Sequence, residues 1–272
     1  MAKARLIFPL LLLLCSCAPR MEWRRHVIDG HMTGVTAVAG DDWASALGVV
    51  DSVYHSPGGA DFGCGSVPVV ARLLIDAQPG MAHLKEILAT CPEGMEKHRP
   101  ESPLSNWSVD ALMLGVQTVT GRKVDVGILN MGGIRIDMPR GNVLLDDIVS
   151  MYPFKNRLCH LTLTGGDLRY IFDFMAQRGE AECVGGARFV MKDGKACGIT
   201  VGGEPLSDDA LYGVATIDFL LDGGDGLCVA RGCRSLTISD RTLAEWMVPY
   251  VRSFGAAGLP LEGASDGRIT VQ

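Results

Sequence analysis

Three short loops in this 272-residue chain combine glycine with residues able to grip a small polar ligand. The first is Asn130-Met131-Gly132-Gly133-Ile134-Arg135. Paired glycines let a backbone come close to a ligand. Asn130 offers both a donor and an acceptor, and Arg135 carries a planar fork of donors suited to phosphate or ribose oxygens. The same residues would also make a plain glycine turn with a surface arginine. The second loop is Tyr152-Pro153-Phe154-Lys155-Asn156. An aromatic ring after proline either anchors packing or presents a flat face on which a heterocycle stacks. The third runs from Asp218-Phe219 to Asp222-Gly223-Gly224-Asp225-Gly226. A carboxylate held in such a turn accepts hydrogen bonds from both hydroxyls of a ribose. Its acidic spacing is not that of a calcium loop, which needs D-x-[DN]-x-[DN]-G and a distal glutamate.

These loops need strands that stop where the loops begin. Val124, Val126 and Ile128 alternate with polar or small residues, which predicts a strand ending at Leu129. Cys159, Leu161 and Leu163 alternate likewise, and Gly165-Gly166-Asp167 opens a helix carrying Leu168, Ile171, Phe172 and Met175. A further strand over 211–216 leads into the third loop. Helical spacing predicts helices over 69–78 and 81–89, divided at Pro79-Gly80, and another over 107–119. Segments 188–192 and 196–201 flank Asp193-Gly194, a hairpin signal because that turn needs positive φ. Residues 237–254 read as mostly helix, and 268–271 as a last strand. Strands and helices mix without regular βαβ alternation, so the expected class is α+β, with mixed β-sheets covered by helices.

Hydrophobic residues make up 47% of the chain and charged ones 21%, as in an ordinary folded protein. The net charge of -6 leaves no basic footprint for a nucleic acid, so any phosphate contact must come from a few placed arginines. Lys3 and Arg5 precede an apolar run over 6–14, too short to span a bilayer but suited to a signal-peptide core. It ends in Leu14-Cys15-Ser16-Cys17, which resembles the bacterial lipobox. Cys17 is then the lipidated first mature residue, with Cys15 as the rival acceptor and a plain signal peptide as the alternative. The expected organisation is a lipoprotein signal peptide over 1–16, an irregular arm over 17–66 and one domain over 67–272. Such a chain is exported and lipid-anchored to a bacterial membrane, on the periplasmic side or at the cell surface. Seven of the nine cysteines remain after Cys15 and Cys17, an odd number without a C-x-x-C pair. Most are expected to be small buried hydrophobes, with one or two bridges left open.

In order along the chain, several motifs resemble the C-terminal, substrate-binding domain of the 5'-nucleotidase and UDP-sugar hydrolase family. They are Glu101-Ser102 with Asn106, the N-x-G-G-I-R loop at Asn130, and the P-F-x-N loop at Pro153. The L-T-G-x-x-L element at Leu163 and the A-T-x-D-F-L-x-x-G-G-D-G block at Ala215 complete the series. The resemblance runs from about Arg99 to Val271. It implies a nucleobase sandwiched between Phe154 and Phe219 and a ribose held by Asp225. It also implies contacts from Asn130 and Arg135 to base, ribose or phosphate, a base contact from Asn156, and a substrate contact from Arg99. Met131 and Lys155 stand where the family pattern has glycine, which brings side chains near the implied pocket and leaves the substrate open.

Members of that family cut phosphate esters with a two-metal domain marked by D-x-H, G-D, G-N-H-[DE] and G-H-x-H. Here only Asp29-Gly30-His31 has the first of these spacings. No catalytic residue and no metal ligand is therefore expected in this chain, and two divalent metals are expected in a separate metallophosphatase subunit. The resemblance implies the nucleotide- or nucleoside-binding half of a split 5'-nucleotidase. The alternative is a stand-alone surface lipoprotein that binds such ligands without catalysis.

Overall fold

The computed structural model describes residues 49–272 apart from 51, 57 and 58. Cys17, Asp29 and His31 lie outside the described residues. Part of the stretch expected to be an irregular arm forms an antiparallel meander of three short strands, β1 (Val49–Val50), β2 (Val53–His55) and β3 (Asp61–Phe62). Helix α1 (Ser66–Met81) follows and runs through Pro79 rather than stopping before it.

The helix expected over 81–89 is instead a 3-10 turn over Ala82–Lys85 and then β4 (Ile87–Cys91). This strand pairs antiparallel with β6 (Gly141–Leu144), Cys91 opposite Gly141. A ladder contributed by residues some fifty positions away overrode the local helical spacing. Helix α2 (Pro103–Thr120) begins four residues before the expected 107 because Ser102 caps it. Ser102 Oγ accepts from the Ser105 amide at 3.1 Å, Ser105 Oγ accepts from the Ser102 amide at 2.8 Å, and Pro103 takes the first turn.

The centre is a five-stranded sheet built from β5 (Val126–Leu129), β7 (Arg157–Thr164), β8 (Cys183–Gly185), β12 (Leu211–Ile217) and β13 (Ser235–Thr242). Its order is β13-β7-β12-β5-β8. Helices α3 (Leu145–Met151), α4 (Gly165–Arg178) and α5 (Leu243–Ala256) complete the helical set. Their apolar faces share one core with α2 and the sheet, in which Phe172, Leu104, Leu112, Ile128 and Leu161 are among the largest side chains fully out of solvent. A second sheet, ordered β11-β10-β9-β14, comprises β9 (Ala187–Lys192), β10 (Lys195–Val201), β11 (Glu204–Pro205) and β14 (Ile269–Val271). The predicted hairpin is present, with Asp193 at φ 49° and Gly194 at φ 71°. The class is α+β.

The expected helix over 237–254 begins only at Leu243. Before it, exposure alternates residue by residue from Ser235 to Asp240 in β13, and that strand pairs with β7, Ile238 opposite Cys159. Thr242 ends the strand and caps the helix, its hydroxyl accepting from the Glu245 amide at 3.3 Å. The period-two pattern around Leu236 and Ile238 was the signal for strand.

The Glu101…Asn106 motif serves the fold. Glu101 is buried and accepts from the Gly267 amide at 2.6 Å, the Arg268 amide at 3.3 Å and Asn106 Nδ2 at 2.8 Å. Asn106 also donates to the Ala264 carbonyl at 3.0 Å. Arg268 forks onto both carboxylate oxygens of Asp110, at 2.8 and 3.0 Å, and onto Asp266, at 3.0 and 3.1 Å. The C-terminal strand is thereby clamped to the start of α2.

All seven described cysteines are free thiols, and fewer are buried than composition suggested. Cys91, Cys159 and Cys183 are buried, Cys233 is half-buried, and Cys64, Cys197 and Cys228 are exposed. Burial pushes the Cys159 thiol up to about 12. Among the described residues, no helix is long and apolar enough to cross a membrane.

Candidate functional site

Four strand ends meet at one edge of the central sheet. β5 runs parallel to β12, with Val126 opposite Val214, so both strands deliver their following loops to the same edge. β7 is antiparallel to β12, with Leu158 opposite Ile217, so the loop before β7 arrives there too. β8 is antiparallel to β5, with Cys183 opposite Leu129, which places Glu182 beside them. Loops separated by tens of residues in sequence become neighbours because of this register alone.

Asn130, Gly132, Arg135, Phe154, Asn156, Phe219 and Asp225 line one cleft of about 190 Å³ between these loops. Sites for drug-sized ligands enclose roughly 300–1,000 Å³, so this cleft covers part of a nucleotide-sized molecule. Six of the seven residues singled out in the sequence are thus brought together, and Arg99 is not among them. Phe154 is 47% exposed and Phe219 43%, unusual for rings that large, and both edge the cleft. The Arg135 guanidinium lies 5.9 Å from the centre of the Phe154 ring and donates to the Gly132 carbonyl at 3.1 Å. The Asn156 carbonyl accepts from the Leu243 amide at 2.8 Å, tying the second loop to the start of α5.

Asn130 and Asp225 join the first loop to the third. Asn130 Nδ2 donates to Asp225 Oδ2 at 2.7 Å, across 95 residues of sequence. An ionised carboxylate only accepts, so the amide nitrogen must face it. Asn130 is 4% exposed, and its other polar atom, Oδ1, is buried without a partner. Leaving a buried acceptor unpaired costs about 1–3 kcal/mol, which a ligand donor would recover. A Cβ on Gly133 would sit 2.6 Å from that oxygen, so any larger residue there would displace the Asn130 amide.

The third loop is held open at a defined shape. Gly223 and Gly226 have φ of 105° and 79°, and Asp225 itself has φ 50°. Aspartate tolerates the left-handed region better than most residues, but its occupancy marks a constrained turn. Arg178 fixes the turn by donating to the Asp225 carbonyl. A Cβ on Gly224 would lie 2.1 Å from the Phe219 carbonyl oxygen, so only glycine lets the chain fold back over that residue.

The two glycine replacements noted in the sequence fall differently from expectation. Met131 does not enter the cleft; it is 4% exposed and its sulfur lies 3.9 Å from Cys183 Sγ. Lys155 is exposed and does not line the cleft. Arg99 does not line the cleft; its Nε donates to the Ala181 carbonyl at 2.9 Å and its Nη2 to Glu182 Oε1 at 3.0 Å. Glu182 and Arg178 were missed in the sequence. The sole signal for Glu182 was an acidic residue just before an apolar strand, and Arg178 read as an ordinary helix C-terminal cation.

A family model described as "5'-nucleotidase, C-terminal domain" matches residues 81–231, more than half of the chain. The chain belongs to that family. Among relatives of this 5'-nucleotidase C-terminal domain protein, the silent protein UshA(0) of Salmonella typhimurium is 25% identical over 169 residues, covering 54% of this chain and 31% of that protein. An apyrase of Tabanus yao is 30% identical over 169 residues, covering 54% of this chain and 30% of that protein. The matched part therefore spans about a third of the length of these relatives. A crystal structure of the 5'-nucleotidase precursor from Thermus thermophilus superimposes with a TM-score of 0.66 at 24% identity, covering 79% of this chain and 45% of that one. That likeness places the fold.

Among the described residues, no group of three or more His, Cys, Asp or Glu converges where it could hold a metal ion.

Proposed function

We propose that the cleft holds the nucleoside part of a nucleotide, and that the chain is the substrate-gripping half of a split 5'-nucleotidase. The observation that carries this is the joint lining of one cleft by two half-exposed rings, an Asn130–Asp225 pair and Arg135. Flat apolar faces suit a base, each stack being worth about 1–3 kcal/mol. Asp225 Oδ1 and Asn130 Oδ1 supply acceptors for ribose hydroxyls or a base amine. Arg135, drawn off the Phe154 face, supplies the cation for phosphate. Membership of the 5'-nucleotidase C-terminal family supports the same reading.

Phosphate release is then the work of a separate metallophosphatase subunit with two divalent metals, whose role would be to activate water at the ester. The chain itself is exported and lipid-anchored through Cys17. An AMP hydrolysis assay with Mn²⁺ tests the division of labour, run with this chain, with an exported metallophosphatase encoded beside it, and with both. Phosphate should appear rapidly only when both are present. Robust release by this chain alone would overturn the split, and binding without any partner-dependent release would leave a stand-alone binding lipoprotein.

A further inference from the structure

Beside the cleft lies an ion pair that none of the three loops contains, its carboxylate buried and its arginine 39% exposed at the side chain. The Glu182 side chain is 3% exposed. One of its oxygens accepts from Arg99 at 3.0 Å, and the other accepts from the backbone amide of Met131 at 2.5 Å. Met131 directly follows Asn130, so this carboxylate holds the loop at the residue that also pairs with Asp225. Arg99 is itself fixed by the Ala181 carbonyl at 2.9 Å. Hydrogen bonds to an ionised acceptor are about twice as strong as neutral ones. The loop's position is therefore set by a charge and not by packing alone.

We propose that Arg99 and Glu182 are a positioning pair that sets the Asn130–Arg135 loop for ligand and ties its grip to the ionisation of Glu182, Arg99 acting through Glu182 without touching the ligand. This rests on the nucleotide-binding reading of the cleft and names a regulation of it. The charged groups facing the pair are Glu180, 3.8 Å from Arg99, Asp225 across the cleft floor, Lys97 on the Ile134 carbonyl and Arg178 on the Asp225 carbonyl. The buried thiol of Cys183 adjoins them.

Burial raises the Glu182 carboxyl above the ordinary range, against the lowering effects of the Met131 amide and Arg99. For an acid raised in the folded state, folding favours the protonated form. Its ionisation therefore costs stability as pH rises through the window between the ordinary and the raised value. A role confined to stability would be better served by glutamine, so the two roles separate experimentally. Glu182→Gln should leave the melting temperature at pH 8 unchanged or higher, yet weaken AMP and adenosine equally, by roughly five- to tenfold. Arg99→Gln should do the same to both ligands, and the double variant should be no worse than the weaker single. The acid-side loss of affinity in the wild type should shrink in Glu182→Gln.

An Arg99→Gln effect confined to AMP would overturn the pair, since it would put Arg99 on the phosphate. Additive single effects would overturn it as well. The Met131 amide resonance keeps the test independent of binding: it should titrate with pH in the wild type and stop doing so in Glu182→Gln. If neither ligand binds the wild type but that titration behaves as stated, the binding reading fails and the charge-set loop stands. A Met131 titration unchanged by Glu182→Gln would remove the pair itself.

Discussion

Replacing Phe219 with alanine should weaken AMP binding by about tenfold or more, and leave the melting temperature within a degree or two. The sizes follow from geometry. The ring is 43% exposed in the described conformation, so it contributes little to the core. Stacked on a base it is worth about 1–3 kcal/mol, which is roughly five- to 150-fold in affinity. Phe154, 47% exposed on the second loop, should give a loss of the same order. If the two rings face opposite sides of one base, the double replacement should lose less than the product of the singles, because a base without its first face loses orientation at the second. Calorimetric titration of the three variants checks this. A Phe219→Ala protein that binds AMP like the wild type would place the base elsewhere.

The largest stability effect should come from the clamp between the start of α2 and the last strand. Glu101 is buried and accepts three hydrogen bonds, two of them from backbone amides at the start of the last strand. Arg268, 8% exposed, spreads its donors over Asp110 and Asp266. Removing one partner of such a cluster leaves buried groups unpaired and costs about 3–5 kcal/mol. For a domain of this size that is on the order of 10 °C in melting temperature. Glu101→Ala should show this drop, and its affinity for AMP, measured well below the transition, should stay near wild type. A shift of a degree or less would mean the clamp is ornamental.

The clamp also sets a pH dependence. Arg268 holds Asp266 below the usual carboxylate range. A carboxyl depressed in the folded state stabilises above its unfolded value, near pH 4, and that contribution disappears as pH falls further. Asp266 is 38% exposed at its side chain, so solvent screening keeps this part small.

The three loops were legible because their signals are local. Glycine beside asparagine, arginine, aromatic or aspartate residues is written in a few consecutive positions, and Asp193-Gly194 announced its hairpin in the same way. What positions the loops was not local. β4 looked helical over 81–89 because Leu84 and Leu88 have helical spacing, and only pairing with β6 decides the matter. β13 was hidden beneath the strong helical pattern of α5 that follows it. Arg99 illustrates the limit best. The resemblance implied a substrate contact for it, whereas its observed partner, Glu182, lies 83 residues further along, where no spacing rule connects the two. The Glu101…Asn106 motif was legible as a signature and silent as to role; its contacts reach to Ala264, Gly267 and Arg268.

Calorimetric titration of the purified full chain with AMP tests the central claim most directly. The account predicts saturable binding of one equivalent in the micromolar to millimolar range, weakened by Phe219→Ala. No heat with AMP, adenosine or UDP-glucose at millimolar concentration would contradict it.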